Sequence, residues 1–311
     1  MSPDHLDPGA GADQILRVRR VHNCPVPELP EVQALTTGLA ERMAGRRIER
    51  CQVASFSALK TVDPPIDDLV GQIVVGVERR GKFVCIVCDR RSLVIHLARG
   101  GWIRWYDVLP ATRAKPGRGP IALRLGFDDR SGMDVTEMGT EKRLALWVVG
   151  SPDEVAPLAA LGPDPLGPDF TVERLAAVLR DIPATIKTAL TTQSLIAGVG
   201  NAYSDEALHR AKLSPYKRAN KLDAGEIARL HDGLVGALGK AVERSSGLAL
   251  SEIKREKKRT MEVHGRTGEA CSACGDTIAQ VSFATKSMQY CPTCQTGGKP
   301  LADRRLSRLL K

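Results

Sequence analysis

Four cysteines near the C-terminus place the strongest constraint on how this chain can fold. They form two Cys-x2-Cys pairs, Cys271 with Cys274 and Cys291 with Cys294. Four thiolates at this spacing bind one tetrahedral zinc ion, which then has no open position for water. Disulfides or unrelated core cysteines are the alternatives, and the paired spacing and the lack of a secretory signal disfavour both. We therefore expect a structural Zn²⁺ that holds a hairpin in place.

A second Cys-x2-Cys pattern, Cys85 and Cys88, has a different interpretation. It lies in residues 82–88, a strand-like run rich in Val and Ile. Residues three apart on a strand point to opposite faces, so these two thiols are not expected to share a metal.

Residues 27–34, Pro-Glu-Leu-Pro-Glu-Val-Gln-Ala, predict the start of an amphipathic helix that carries chemistry. Pro30 suits a first helical turn, and apolar residues follow at helical spacing up to Met43. Glu28 and Glu31 then lie one turn apart beside Pro27, at the positive end of the helix dipole, which favours ionised carboxylates and a neutral amine. The alternative is a Pro-rich helix start with solvated glutamates.

Pro27 would be a nucleophile only at a chain terminus. An unperturbed α-amine titrates near ~8 and a lysine near ~10.4, so a terminal proline is far more often neutral at pH 7. In this chain 26 residues precede Pro27, and its nitrogen is a tertiary amide without a nucleophilic lone pair. Val26 is the residue that a GTG start codon would encode. We therefore expect residues 1–26 to be an extension absent from the active protein.

Residues 187–206 predict a helix, a glycine-bearing turn and a second helix. Gly198 and Gly200 would let the backbone approach a phosphate, and the start of the next helix would supply N–H groups to it. A plain helical hairpin is the alternative.

Together these motifs resemble the formamidopyrimidine-DNA glycosylase and endonuclease VIII family over residues 27–296. The resemblance implies an α+β multidomain fold with an N-terminal β-sandwich and one catalytic helix, a helical helix-two-turn-helix domain, and a C-terminal zinc β-hairpin with four cysteine ligands. The expected divisions are an extension at 1–26, the catalytic sandwich at 27–151, a linker at 152–170, the helix-two-turn-helix domain at 171–260, the zinc finger at 261–296 and a basic tail at 297–311.

The resemblance also implies a bifunctional DNA glycosylase and AP lyase of base excision repair that removes an oxidised base. Pro27 would attack the sugar C1′, Glu28 would act as acid and proton shuttle, and Glu31 would structure the amine pocket. Lys82 matches a family lysine at the backbone of the damaged strand. Lys187 and Asn201 would contact DNA phosphates.

Departures from the family pattern lie where the duplex would be opened. Arg99 stands where purine-specific relatives have a methionine, the usual wedge loop is missing at residues 136–143, and Lys286 replaces an arginine. Lysine keeps the positive charge of the arginine but lacks the guanidinium group that can bind a phosphate through two parallel hydrogen bonds. We hypothesise that Arg99 fills the space vacated by the flipped nucleotide.

Charge agrees with a polyanionic partner, since 45 basic against 36 acidic residues give a net charge of +9 and a pI near 9.2. The expected partner is double-stranded DNA containing a damaged base, bound by a cytoplasmic, nucleoid-associated monomer that has no membrane-spanning segment. The alternatives are a non-catalytic damaged-DNA or abasic-site binding protein that keeps Pro27 internal, and a zinc-ribbon nucleic-acid adaptor unrelated to repair.

Overall fold

The computed structural model describes residues 26–117, 119–139, 141–283 and 287–302. The expected extension, except Val26, lies outside these residues, as do Lys286 and the tail beyond Ala302. Within the described residues the strands are β1 (Ile48–Val53), β2 (Val74–Arg80), β3 (Phe83–Cys88), β4 (Ser92–His96), β5 (Gly101–Tyr106), β6 (Ile121–Phe127), β7 (Gly132–Glu137), β8 (Ala145–Val149), β9 (Ala279–Ser282) and β10 (Ser287–Tyr290). The α-helices are α1 (Leu29–Met43), α2 (Ala156–Ala159), α3 (Val172–Leu179), α4 (Ile186–Thr191), α5 (Asn201–Arg210), α6 (Ala224–Ser245), α7 (Ile253–Thr260) and α8 (Pro292–Thr296).

The N-terminal half is a sandwich of two antiparallel four-stranded sheets, ordered β1-β6-β7-β5 and β2-β3-β4-β8. Apolar side chains that alternate along the strands meet between the sheets, as Val84 and Ile86 of β3 meet Leu123 and Leu125 of β6 in one core. Short alternating apolar runs in the sequence, at residues 73–75, 93–97 and 121–127, predict strands, and they contribute to β2, β4 and β6. The predicted fold class is confirmed.

Strand β3 is apolar on both faces, which explains its unbroken sequence Phe-Val-Cys-Ile-Val-Cys. Cys88 lies in the core between the sheets, whereas Cys85 packs on the opposite face with Val155 and Leu158 beside α2. Burial raises the pKa of each thiol to about 12. The two thiols therefore lie on opposite faces of the sheet, as their spacing on a strand predicts.

Helix α1 joins two hydrophobic cores. Its predicted apolar face packs into the sandwich, where Val32, Leu35, Leu39 and Met43 are fully buried. Leu29, at the first turn, packs instead among the side chains of the helical domain, with Val199 and Tyr203. The N-terminus of α1 therefore lies at the junction of the two domains, and so do Glu28 and Glu31.

The C-terminal module is the β9–β10 hairpin with the four cysteines. A small core of Val263, Cys271, Ile278 and Cys291 supports it, and β10 packs against α5. Among the described residues, no helix combines the length and the apolar character needed to cross a membrane.

Candidate active site

Glu28 occupies the N-terminus of α5. Its Oε2 accepts hydrogen bonds from the backbone N–H groups of Gly200 (2.7 Å) and Tyr203 (3.3 Å), and its Oε1 accepts one from Ala202 (2.9 Å). Burial by itself would raise the pKa of this carboxyl, but the charges of Lys257 and Lys82 and the Ala202 N–H outweigh burial, and the pKa is lowered. Glu28 is therefore an ionised carboxylate that accepts hydrogen bonds from N–H groups that have no partner within helix α5.

The glycines before α5 permit this arrangement. A Cβ at Gly200 would lie 2.4 Å from the carboxyl carbon of Glu28, and one at Gly198, where φ is +81°, would lie 2.8 Å from the Leu29 side chain. The predicted phosphate contact of this helix start cannot use the N–H groups of Gly200, Ala202 and Tyr203, and otherwise it stays a prediction. Glu28 of the same chain already accepts hydrogen bonds from them. A side chain at Gly200 would displace Glu28, and one at Gly198 would displace Leu29.

Glu31 organises the pocket around Glu28. Its Oε2 accepts from the Glu28 backbone N–H (2.8 Å) and from Lys257 Nζ (2.7 Å), while its Oε1 accepts from Tyr203 Oη (2.7 Å). Burial and the Glu31 carboxylate raise the pKa of Tyr203 well above its ordinary value, so the phenol stays a proton donor. The Glu31 carboxylate thus links three groups of the pocket by accepting a hydrogen bond from each of them.

Lys257, which is not among the site residues predicted from the sequence, is a buried cation of this pocket. Its Nζ lies 2.7 Å from Glu31, 3.6 Å from Glu28 Oε1 and 4.8 Å from the centre of the Tyr203 ring. Burial lowers the pKa of the ammonium, but the two carboxylates outweigh burial and raise it. One sequence signal was present: Lys257 lies four residues after Ile253, the only apolar residue of residues 253–259, and therefore on the buried face of α7.

Pro27 is buried beside these charges, with its nitrogen in a peptide bond to Val26. The Val26 carbonyl accepts a hydrogen bond from Lys257 Nζ (3.0 Å). Lys257 thus reaches both the carboxylates and the peptide group that contains the proline nitrogen.

Lys82 approaches the same pocket from the turn between β2 and β3. A Cβ at the preceding Gly81 would lie 3.4 Å from the Gly198 backbone nitrogen, so this turn abuts the turn before α5. The Lys82 charge lowers the pKa of Glu28. The pKa of His96 is lowered to about 4, mainly by burial and then by the charge of Lys82. The His96 imidazole is therefore neutral at pH 7. The structure therefore brings Pro27, Glu28, Glu31 and Lys82 into one region, as expected for residues predicted to form one site.

The four predicted metal ligands converge. The Sγ atoms of Cys271, Cys274, Cys291 and Cys294 lie within 4.8 Å of one another. A tetrahedral zinc site with Zn–S bonds of about 2.3 Å has sulfur atoms about 3.8 Å apart. The pairs Cys271–Cys294 at 4.0 Å and Cys274–Cys291 at 3.4 Å bracket that value. The thiol set therefore fits zinc, which would be held by all four residues and would contribute stability and not chemistry.

Comparison with known proteins decides the family. The family model of the formamidopyrimidine-DNA glycosylase N-terminal domain matches residues 26–140. The model of the formamidopyrimidine-DNA glycosylase H2TH domain matches residues 161–252. The formamidopyrimidine-DNA glycosylase of Symbiobacterium thermophilum is 34% identical over 292 residues, covering 90% of this chain and 93% of that protein. The chain belongs to the formamidopyrimidine-DNA glycosylase family.

Two further relatives place the chain within this family. An uncharacterised formamidopyrimidine-DNA glycosylase-like protein of Mycobacterium tuberculosis is 54% identical over 152 residues, 49% of this chain and 95% of that protein. The solved structure of MutM in complex with DNA containing carbocyclic 8-oxo-G is 31% identical, with a TM-score of 0.75 over 87% of this chain and 100% of that one. Membership implies a DNA-binding glycosylase of DNA repair.

The family's phosphate-binding candidates are engaged within the protein. Lys187 Nζ donates to Asp205 Oδ1 (2.6 Å), Ser204 Oγ (2.8 Å) and the Asn201 carbonyl (3.0 Å). Asn201 Nδ2 donates to the Ser287 carbonyl of β10 (2.7 Å). Their contacts with DNA phosphates stay a prediction.

Two acids of α5, which are not among the residues predicted from the sequence, attach this helix to the zinc module. Glu206 accepts from three consecutive backbone N–H groups at residues 262–264, over 2.8–2.9 Å. Asp205 Oδ2 accepts from His264 Nδ1 (2.7 Å) and the Gln289 N–H (3.2 Å). Their position in the glycine-turn motif was visible in the sequence, but their partners in and before the zinc module lie more than fifty residues away.

Two of the departures from the family pattern, at Arg99 and around Met138, lie on adjoining segments. Arg99 is exposed, and the next residue, Gly100, accepts a hydrogen bond from the Met138 N–H (3.0 Å). Met138 is 53% exposed. Lys286, another of the predicted DNA contacts, lies outside the described residues.

Proposed function

We propose that this chain is a bifunctional DNA glycosylase and AP lyase that excises an oxidised base from double-stranded DNA through the amine of Pro27. The observation that carries the proposal is the buried arrangement of Pro27, Glu28 and Glu31 at the domain junction, with Glu28 accepting from three N–H groups of α5. Family membership and the DNA complex of its structural relative support the substrate class.

The proposed reaction uses each of these groups in turn. The proline nitrogen bonds to C1′ as the glycosidic bond breaks, and the base leaves with the bonding electrons and acquires a proton. The ionised Glu28 takes the proton lost by the amine and returns it to the ring oxygen as the sugar opens to an iminium. The iminium makes a C2′ proton acidic. The Glu28 carboxylate, ionised again, takes this proton, the electrons of the C–H bond form a C2′–C3′ double bond, and the 3′ phosphate leaves, which cleaves the strand. Glu31 holds the backbone of Glu28 in place.

The target base must leave the duplex before C1′ can be reached, and side chains then fill the gap. We assign Lys82, Lys187, Asn201 and Lys286 to the DNA backbone, and Arg99 to the space left by the flipped nucleotide. The protein would act as a monomer in the cytoplasm, with one structural Zn²⁺ on the four cysteines.

The experiment that tests the proposal combines the N-terminus with covalent trapping. Protein expressed from its native gene and start region is analysed by intact mass and N-terminal sequencing, then incubated with an abasic-site duplex and borohydride. We expect a chain that begins at Pro27 and a reduced adduct that maps to Pro27. A chain that begins at Pro27 but forms no adduct would contradict the amine mechanism.

One observation favours a second function, that of a non-catalytic binder of damaged or abasic DNA. The hydrogen bond from Lys257 Nζ to the Val26 carbonyl accommodates a chain in which Pro27 remains an amide. A native protein that begins at Met1 or Ser2, binds an abasic-site duplex and forms no adduct would support this second function.

A further inference from the structure

Lys257 lies outside the part of the chain that the family descriptions match, 26–140 and 161–252, yet its ammonium is in the middle of the candidate site. It belongs to α7, whose other basic residues are more exposed: Lys258 and Arg259 are exposed, whereas Lys257 is 6% exposed. A buried lysine is costly unless its charge serves nearby groups. Its position therefore calls for an explanation beyond packing.

The ammonium is close to the Pro27 nitrogen. Lys257 Nζ is 3.0 Å from the Val26 carbonyl oxygen, and the oxygen and nitrogen of one peptide group lie about 2.2 Å apart, so the two nitrogens are within roughly 5 Å. In a chain that begins at Pro27 this carbonyl is gone, but Glu31, at 2.7 Å, still holds the ammonium in place. A fixed positive charge would then face a free secondary amine.

We propose that Lys257 is a positioning residue that keeps the terminal amine of Pro27 neutral, and therefore nucleophilic, at physiological pH. This inference rests on the proposed function. The charged and titratable groups around the amine are Glu28 and Glu31 of α1, Tyr203 of α5, Lys257 of α7, Lys82 of the β2–β3 turn and, beyond Glu28, His264.

The charge balance of this pocket explains the need for a lysine. The two buried carboxylates attract a proton to the amine and would hold it there, while Tyr203 stays a neutral donor. Lys257 neutralises one carboxylate and repels a second ammonium at short range, as a like charge within about 4–6 Å does. Lys82 acts in the same sense from the other side. With Lys257 removed, the protonated amine would face both carboxylates with one cation fewer.

The test is the pH dependence of borohydride trapping on an abasic-site duplex, in single turnover, with the chain that begins at Pro27. We expect Lys257→Met to move the midpoint of the rising limb up by about one pH unit or more, which makes trapping about tenfold slower below that midpoint. Lys257→Arg keeps the charge and should retain the wild-type midpoint. Lys258→Met, an exposed neighbour on the same helix, is the matched control and should change nothing.

A second measurement does not depend on the variants folding or on catalysis. The Pro27 amine of the wild-type chain, labelled with ¹⁵N-proline, is titrated by NMR. We expect a pKa at or below the ordinary value of about 8 in spite of the two carboxylates. A value above about 9, an unshifted midpoint in folded Lys257→Met, or an adduct that maps to Lys257 would each overturn the inference. If the amine titrates as expected but no adduct forms, the inference stands and the proposed function fails.

Discussion

At the scale of single residues, the site is a set of buried charges of opposite sign that stabilise one another away from water. Glu31 and Lys257 are 226 residues apart in sequence and 2.7 Å apart in space. Glu28 stays ionised at such burial because the charges of Lys257 and Lys82 and the N–H groups of α5 outweigh the burial that would raise its pKa. The chemistry assigned to Glu28 therefore depends on its neighbours.

We expect Glu28→Gln to reduce base excision by about 100-fold or more, because an amide cannot shuttle a proton. DNA affinity should change little, since the replaced atoms are buried. Single-turnover excision and a mobility-shift assay measure the two effects, with the exposed Glu49→Gln as control. Unimpaired excision by the Glu28 variant would remove Glu28 from the mechanism.

We expect Lys82→Ala to weaken DNA binding and to make the slope of log K against log salt shallower by about 0.9, the value for one phosphate contact. Binding measured at several salt concentrations gives this slope. If the affinity falls but the slope does not, Lys82 acts within the pocket and not on the DNA backbone.

At the scale of elements, the decisive contact is the meeting of two helix N-termini. The start of α1 supplies a carboxylate, the start of α5 supplies N–H groups, and Gly198 and Gly200 allow the backbones to approach. The same turn was expected to receive a phosphate. A helix N-terminus attracts any anion, and in the folded chain the nearest anion is Glu28.

We expect Gly200→Ala to displace Glu28, because the added Cβ would lie 2.4 Å from its carboxyl carbon. The backbone at this position, with φ −125°, is open to alanine, so the effect is steric. Overpacking of this kind costs about 1–3 kcal/mol of stability. A misplaced catalytic group costs on the order of 100-fold in excision rate.

Thermal unfolding and single-turnover excision test this expectation. Gly239→Ala in α6, where nothing lies within 4 Å of the new Cβ, is the matched control and should stabilise the helix by about 0.5–1 kcal/mol. Full excision activity in Gly200→Ala would show that Glu28 tolerates displacement.

At the scale of the whole molecule, α5 is the element on which the parts converge. Its first turn binds Glu28 of the sandwich side, and its Asp205 and Glu206 bind residues that lead into the zinc module. His209, near its end, lies 3.2 Å from the Cys271 sulfur. The zinc module is therefore attached to the same helix that orders the candidate active site.

We expect removal of zinc to loosen the β9–β10 hairpin and to weaken DNA binding, because structural zinc contributes folding free energy directly. Cys291→Ser, which removes a fully buried ligand, should lower the zinc content and the melting temperature. Cys51→Ser, which alters a half-buried thiol outside the cluster, is the control. One zinc per chain in Cys291→Ser would contradict the four-cysteine site.

The sequence by itself determined the features that are local in the chain. The amphipathic face of α1, the alternating strands, the helices around the glycine turn and the four metal-binding thiols follow from spacing within short segments. These patterns, together with the family resemblance that they carry, were sufficient for the fold class and for the selection of Pro27, Glu28, Glu31 and the cysteines.

Only the tertiary structure decided which anion binds the start of α5 and which cation faces Glu31. Lys257 lies in a segment where basic residues outnumber all others, and in sequence only its spacing from Ile253 distinguishes it from its exposed neighbours. The anion at α5 and the partners of Lys257, Asp205 and Glu206 come from distant segments. Contacts of this kind arise from the packing of whole elements, and residue spacing carries no information about which partner each side chain meets.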